Sequence, residues 1–307
     1  MVLERIAAEL EELLNASALL EEGNLAARSE ALDELDYAEE MLSHQLSLHG
    51  DDVAIEGLLA EARELTARLR RTDRLFFTRV RRQIASRRLS GAALRKLFDR
   101  YTSYEPQSTA HLHLSFDPLD ILVAGIFHEG AVPKPTLPLG SEMISFQPSP
   151  VSAILELIDH TEIGRDDVFY DLGSGLGDIT LIVALLTEAS ARGVEIDPVL
   201  CAYAQGTAQR LGVHNATFVN ADARTLDYRE GTVFYLFTPF VGEHLADVMK
   251  RIKAAASAHR VRIGTYGPIT PIVANLPWLR SLNDHRDDPF RLAVLESRRD
   301  SRRRITL

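Results

Sequence analysis

The stretch that most constrains this chain is Val168 to Thr180, reading Val-Phe-Tyr-Asp-Leu-Gly-Ser-Gly-Leu-Gly-Asp-Ile-Thr. An apolar run of β-branched and aromatic residues ends in Asp171. Glycines follow at every second position (Gly173, Gly175, Gly177), and then Ile179, Ile182, Val183 and Leu186 recur at helical spacing. That order predicts a strand, a tight turn and a helix whose N-terminus faces whatever lies over the loop. Glycine lets backbone N–H groups approach a ligand with no Cβ in the way.

The same alternation continues to the end of the chain. Strands are expected at 167–172, 191–196, 216–220, 232–237, 260–266, about 278–283 and 289–296. Helices are expected between them at 176–187, 198–211, 241–256 and about 268–275. Strands that alternate with helices form a parallel sheet covered on both faces. The last two apolar stretches have no helical pattern between them, so they read as a hairpin-like pair that adds an antiparallel strand. The expected fold is α/β: a doubly wound, mostly parallel seven-strand sheet with a late antiparallel strand, preceded by an all-α helical domain.

That helical part is expected over 1–104, with a connector at 105–148 and the α/β domain at 149–307. Leucine and isoleucine stripes at three/four spacing (Leu3, Ile6, Leu10, Leu13; Leu25, Leu32, Leu35, Leu42; Leu58, Leu65, Leu69, Phe76) predict long amphipathic helices. Asp117-Pro118 and Ser149-Pro150 each read as a cap followed by proline at the first helical position. His111 and His113 lack any further ligand pattern, and read as strand-face histidines rather than a metal pair. No metal site is expected.

The net charge of −10 hides an asymmetry. Residues 1–61 are acidic, opposed only by Arg5 and Arg28, whereas 63–100 is arginine-rich and a second basic cluster closes the chain at Arg298, Arg299, Arg302, Arg303 and Arg304. The basic helix therefore either lies against the acidic ones or meets an anionic partner. One cysteine, Cys201, excludes a disulfide framework, and no apolar run approaches a membrane span. With no basic n-region at the start, a cytoplasmic protein is expected. The N-terminal helices could also pair between copies as a homo-oligomer.

Ligands of open α/β sheets bind at the carboxyl ends of strands, where strand order reverses. Three such ends carry acids. Asp171 precedes the glycine loop, Glu195 ends the second strand about 20 residues beyond it, and Asp222 follows the third. A carboxylate at Glu195 can accept both hydroxyls of a ribose, whereas Asp197, followed by Pro198, reads as a helix cap.

This combination resembles the S-adenosylmethionine (SAM) dependent methyltransferases with a Rossmann-like seven-strand sheet, over about residues 146–296. The resemblance implies SAM as cofactor, with Asp171, Gly173, Ser174, Gly175 and Gly177 around its methionine portion. It implies Glu195 and Ile196 at the ribose, and Asp222 and Ala223 at the adenine. The glycine loop, with Phe146-Gln147-Pro148 before it, is most similar to the non-SET histone-lysine methyltransferases. The fourth strand departs from that subfamily, ending in Phe237-Thr238-Pro239-Phe240 instead of asparagines. Methyltransferases acting on adenine or glutamine carry Asn/Asp-Pro-Pro-aromatic there, and Phe237 takes the polar position. Both acceptor signatures are broken, so the acceptor, through nitrogen or oxygen, is a small molecule, a protein or RNA.

Phe240, Thr238 and Tyr266 are the candidate catalytic residues, because all three are expected at the ends of the fourth and fifth strands. Tyr235, inside its strand, reads as core. Two alternatives remain open. One is a non-catalytic SAM-fold module whose helical domain is an interaction element. The other is an NAD-dependent oxidoreductase, although the three glycines do not fit the G-x-G-x-x-G spacing.

Overall fold

The structure, a computed structural model, describes residues 2–50, 52–102, 104, 117–138, 140–144 and 147–298. His111, His113, Phe146, Arg299 and Arg302–Arg304 lie outside the described residues. The chain forms two compact units, residues 1–81 with 124–126, and residues 82–123 with 127–307.

The first unit holds α1 (Val2–Asn15), a 3-10 turn (Ser17–Leu20), α2 (Leu25–His49) and most of α3 (Val53–Ala85). Leu10, Leu35, Leu65 and Leu69 of the stripes read from the sequence form one core cluster; Ile6 and Leu42 form another with Ile55 and Leu59, which those stripes did not include. Asp52 caps α3, its Oδ1 accepting from the Ala54 and Ile55 amides.

The basic face of α3 pairs with acids elsewhere in this unit. Arg70 meets Asp36 at 2.7 Å, Arg63 meets Glu39 at 3.5 Å, and Arg79 meets Glu22. Arg28 is fully buried. Its Nε donates to Asp73 (2.7 Å), Nη1 to the carbonyls of Leu19 (2.9 Å) and Glu21 (2.6 Å), and Nη2 to the carbonyl of Glu22 (3.2 Å). Arg68, Arg71 and Arg74 stay exposed.

A short helix, α4 (Gly91–Phe98), falls in the second unit, although 1–104 was expected as one domain. Its apolar face (Leu94, Leu97, Phe98) is buried, and its Arg95 makes a bidentate pair with Asp159 of α6 (Val151–Thr161). Those contacts, rather than helical continuity, decide where it belongs. Between them lies α5 (Pro118–Phe127), capped by Asp117, whose Oδ1 accepts from the Leu119 amide. Asp120 of α5 accepts from the Val151 amide at 2.9 Å, so this carboxylate caps α6 where Ser149 was expected to.

The sheet comprises β1 (Val168–Leu172), β2 (Ser190–Glu195), β3 (Ala216–Asn220), β4 (Val233–Phe237), β5 (Arg262–Tyr266), β6 (Leu279–Ser281) and β7 (Ala293–Ser297). Between them lie α7 (Asp178–Leu186), α8 (Pro198–Leu211), α9 (Gly242–Ala256) and α10 (Thr270–Ala274). Its order is β3-β2-β1-β4-β5-β7-β6, with β1 to β5 parallel and β7 antiparallel to both β5 and β6. The order reverses between β1 and β4, which opens a crevice above β1.

One face is filled by Leu172, Val194, Phe234, Leu236, Ile263 and Leu295 against α9 and α10. β7 begins at Ala293 rather than 289. Asp288 accepts from the Phe290 amide, and its carbonyl accepts from the Arg291 amide, which holds the chain in turns up to that point. Among the described residues no helix is long and apolar enough to cross a membrane.

Candidate active site

The loop after β1 is built on three left-handed glycines, Gly173 (φ +82°), Gly175 (φ +52°) and Gly177 (φ +87°). Only glycine enters that region without strain. The amides of Gly173 and Ser174 both donate to the Val194 carbonyl (2.9 and 3.0 Å), which folds the loop over β2. A Cβ on Gly173 would lie 2.5 Å from Pro239, and one on Gly177 would lie 2.6 Å from the Phe218 ring. Gly177 thus serves helix-to-strand packing and does not line the cleft.

That cleft, of about 250 Å³, lies over the ends of β1, β2 and β4. Asp171, Gly173, Ser174, Glu195, Ile196, Asp222 and Ala223 all line it, so seven of the nine expected cofactor contacts come together. Glu195 accepts from the Gly175 amide through Oε2 and from the Asp197 amide through Oε1, both at 2.8 Å. Its carboxylate is thereby fixed at the strand end. Asp222 is held by Arg224, whose amide and guanidinium both donate to it, and this partner keeps its carboxyl below the usual range.

Asp171 is the opposite case. Burial pushes its carboxyl up to about 7, against the hydrogen bond from Thr180 Oγ1 (3.0 Å), and the Glu195 and Asp178 charges push it further. Ser174 and Asp178 also line the cleft, and Ser174 Oγ and Asp178 Oδ1 are buried without a hydrogen-bond partner.

The far wall is apolar. Phe237, Pro239 and Phe240 line it from the end of β4, joined by Met143 and Ile144 from the connector. Met143 bridges Phe240, the Ile144 amide donates to the Pro239 carbonyl (3.3 Å), and Glu142 caps α9 by accepting from the Glu243 and His244 amides. Thr238 adopts φ +43°, strained for a β-branched residue, and its hydroxyl donates to the Tyr266 carbonyl at 3.0 Å.

Asp197 does more than cap α8 through the Val199 and Leu200 amides. It also accepts from the amides of Thr136 and Leu137, holding a second piece of the connector beside the cleft. Burial opposes its ionisation, but those four N–H groups hold its carboxyl down at about 2.

Two catalytic candidates, Phe240 and Thr238, reach the cleft; Tyr266 does not. The Tyr266 ring stands edge-on to Phe237 (5.4 Å), and its hydroxyl donates to the Phe290 carbonyl at 2.8 Å, away from the opening. Its contribution to the site is its backbone carbonyl. Conversely Tyr235, read as core, is buried yet lines the cleft. The signal was available in principle, because Tyr235 pairs in register with Asp171 on the neighbouring strand and so shares its face. Asp178 and His244 also line the cleft and were missed. Asp178 directly follows the last glycine of the loop, which was the signal for it.

Residues 149–231 match the family model described as "Histone methylation protein DOT1". Similar solved structures include an RNA methyltransferase from Salinibacter ruber in complex with S-adenosyl-L-homocysteine (22% identity, 49% of this chain and 92% of that chain, TM-score 0.38). An rRNA methylase from Streptococcus thermophilus aligns at 11% identity over 50% of this chain and 97% of that one, with a TM-score of 0.36. A putative SAM-dependent methyltransferase from Methanococcus maripaludis aligns at 17% identity over 37% of this chain and 53% of that one, with a TM-score of 0.33. The family match spans the glycine loop and the Glu195 and Asp222 strand ends, within a sheet ordered 3-2-1-4-5-7-6. The chain reads as a SAM-dependent methyltransferase with a seven-strand Rossmann-like sheet, and over residues 149–231 it is similar to the histone methylation proteins of that family model.

Proposed function

We propose that the cleft binds SAM and delivers its methyl group to a nitrogen or oxygen nucleophile presented at Thr238–Phe240. The observation that carries this reading is the convergence of three acidic strand ends, with Ser174 and Asp178 and their unpartnered buried oxygens, on one cleft with an apolar wall. These residues fit the group. Asp171, Ser174 and Asp178 offer acceptors to the amino-acid arm, Glu195 to the ribose hydroxyls, and Asp222 with the Ala223 backbone to the adenine.

When bound, SAM supplies an already activated methyl group. The chain's part is then orientation, which accounts for much of a transfer barrier. Charge is lost at sulfur during transfer, so the apolar wall of Phe237, Pro239 and Phe240 suits the reacting end, and the polar strand ends suit the remainder. The strained Thr238, tied to the fifth strand, sets the position of Pro239 and Phe240 at the lip.

The acceptor is a small molecule, a protein or RNA, and the broken fourth-strand signatures favour none of them. The single cysteine supports a cytoplasmic setting, and exposed Leu14, Leu20 and Tyr37 support self-association through the helical unit. Calorimetric titration with SAM and with NAD tests the cofactor reading. Incubation of cell extracts with methyl-labelled SAM then shows which fraction takes up label. SAM binding without labelled product from any fraction would leave a non-catalytic binding module. Binding of NAD alone would refute the reading.

A further inference from the structure

Asp178 is the first residue of α7, and its two carboxylate oxygens have different surroundings. Oδ2 lies 3.1 Å from His128 Nε2, whereas Oδ1 is buried and unpartnered, and the residue lines the cleft. His128 directly follows α5, and its other ring nitrogen, Nδ1, lies 3.3 Å from the hydroxyl of Tyr203 on α8. The two rings are 5.8 Å apart, and the Arg210 guanidinium sits over Tyr203 at 5.7 Å. A tyrosine hydroxyl donating to Nδ1 leaves the proton on Nε2, the tautomer that donates to Asp178. Three elements thus fix one carboxylate.

Left alone, this side chain has reason to leave. Asp171 and Glu195 are like charges close by, and the Asp178 charge contributes to the upward push on Asp171. An aspartate at a helix start can also turn back toward the helix's own free N–H groups. A donor on Oδ2 opposes both movements and keeps the carboxylate at the cleft. Three carboxylates and the Ser174 hydroxyl around one space suit a cationic group carrying several N–H donors.

We propose that His128, backed by Tyr203, is a positioning residue that holds Asp178 for the ammonium of the cofactor's amino-acid arm. This rests on the SAM reading above. His128 need not touch the ligand, because it acts through the Asp178 oxygen that it fixes.

The test is calorimetry on the full chain with two ligands. S-adenosylhomocysteine carries the ammonium; 5′-methylthioadenosine keeps the nucleoside and sulfur but lacks the amino-acid arm. His128→Ala should weaken S-adenosylhomocysteine about tenfold, the scale of one loosened charge-assisted hydrogen bond, and leave methylthioadenosine within about twofold. His128→Gln, whose amide can donate to the same oxygen, should recover most of the loss. On an Asp178→Asn background, His128→Ala should cost nothing further. Equal weakening of both ligands, unchanged S-adenosylhomocysteine affinity, additive losses or absence of rescue by Gln would each overturn the proposal. Wild-type protein that binds neither ligand would instead remove the cofactor reading on which it stands.

Discussion

One buried charge in each unit marks a contrast. In the helical unit, Arg28 is fully enclosed, but its guanidinium meets one carboxylate and three backbone carbonyls. In the α/β unit, Asp171 is enclosed with a single side-chain donor, and Ser174 Oγ and Asp178 Oδ1 have no partner. A buried charge with its hydrogen bonds complete is architecture; one left incomplete is held ready for something else. The difference separates a scaffold from a site without reference to any relative.

The comparison breaks most visibly at Arg28. Arg28→Ala leaves Asp73 and the carbonyls of residues 19, 21 and 22 without their donor. It should cost about 3–5 kcal/mol of the helical unit's stability, read as an earlier transition in a denaturant melt followed by circular dichroism. A loss below about 1 kcal/mol would mean that the guanidinium is not the unit's linchpin.

Next comes Glu195. Glu195→Ala should weaken SAM binding by roughly 1.5–3 kcal/mol, since it removes a charged acceptor and frees the Gly175 amide. Asp197→Ala should act differently, lowering the melting temperature through loss of the α8 cap and the Thr136–Leu137 anchor, with a smaller effect on affinity. Equal calorimetric losses for the two would contradict the ribose assignment of Glu195.

A smaller effect is expected from pH. Asp171 is raised from 3.8 to about 7, so its stabilising contribution to the free protein is present below about 4 and is lost as pH rises through 7. A cationic ligand favours the carboxylate. SAM affinity should therefore fall roughly tenfold for each pH unit below 7, with a proton released on binding near neutrality. Asp171→Asn should flatten that slope, and a slope that persists in the variant would assign it to another group.

The smallest effect belongs to the surface of α3. Arg70 and Asp36 are each about half exposed, so Arg70→Ala should cost less than about 1 kcal/mol, and that cost should shrink further with salt. A salt titration of the melting temperature checks it.

The parts legible in the sequence were those governed by short-range rules. Glycines at 173, 175 and 177 announced the turn, and period-three/four leucines announced the helical core. The absence of a helical pattern between the last two apolar stretches announced the antiparallel pair β6 and β7. What escaped depends on partners far along the chain. Ser149 resembles a cap, yet the Val151 amide finds Asp120, 31 residues earlier. Tyr266 ends the right strand, but its hydroxyl finds Phe290 in a loop that carries no sequence mark. His128 lies 50 residues from Asp178, and only the fold brings them within 3.1 Å. The arginines of α3 had two readings. Pairing with Asp36, Glu39 and Glu22 accounts for Arg70, Arg63 and Arg79, whereas Arg68, Arg71 and Arg74 stay in solvent.

Two aspartates that line the cleft, Asp171 and Asp197, set an order of failure in acid. As a solution is acidified, Asp171 takes up its proton at about 7, so the grip on a cation slackens first. Asp197 keeps its charge until about 2, and its contribution, fully present above 3.8, is lost only as pH falls from there through about 2. Over the interval between them the neighbouring connector stays fastened while Asp171 is neutral. Mild acid should therefore empty this enzyme without opening it, and a return to neutrality should restore binding with no refolding step.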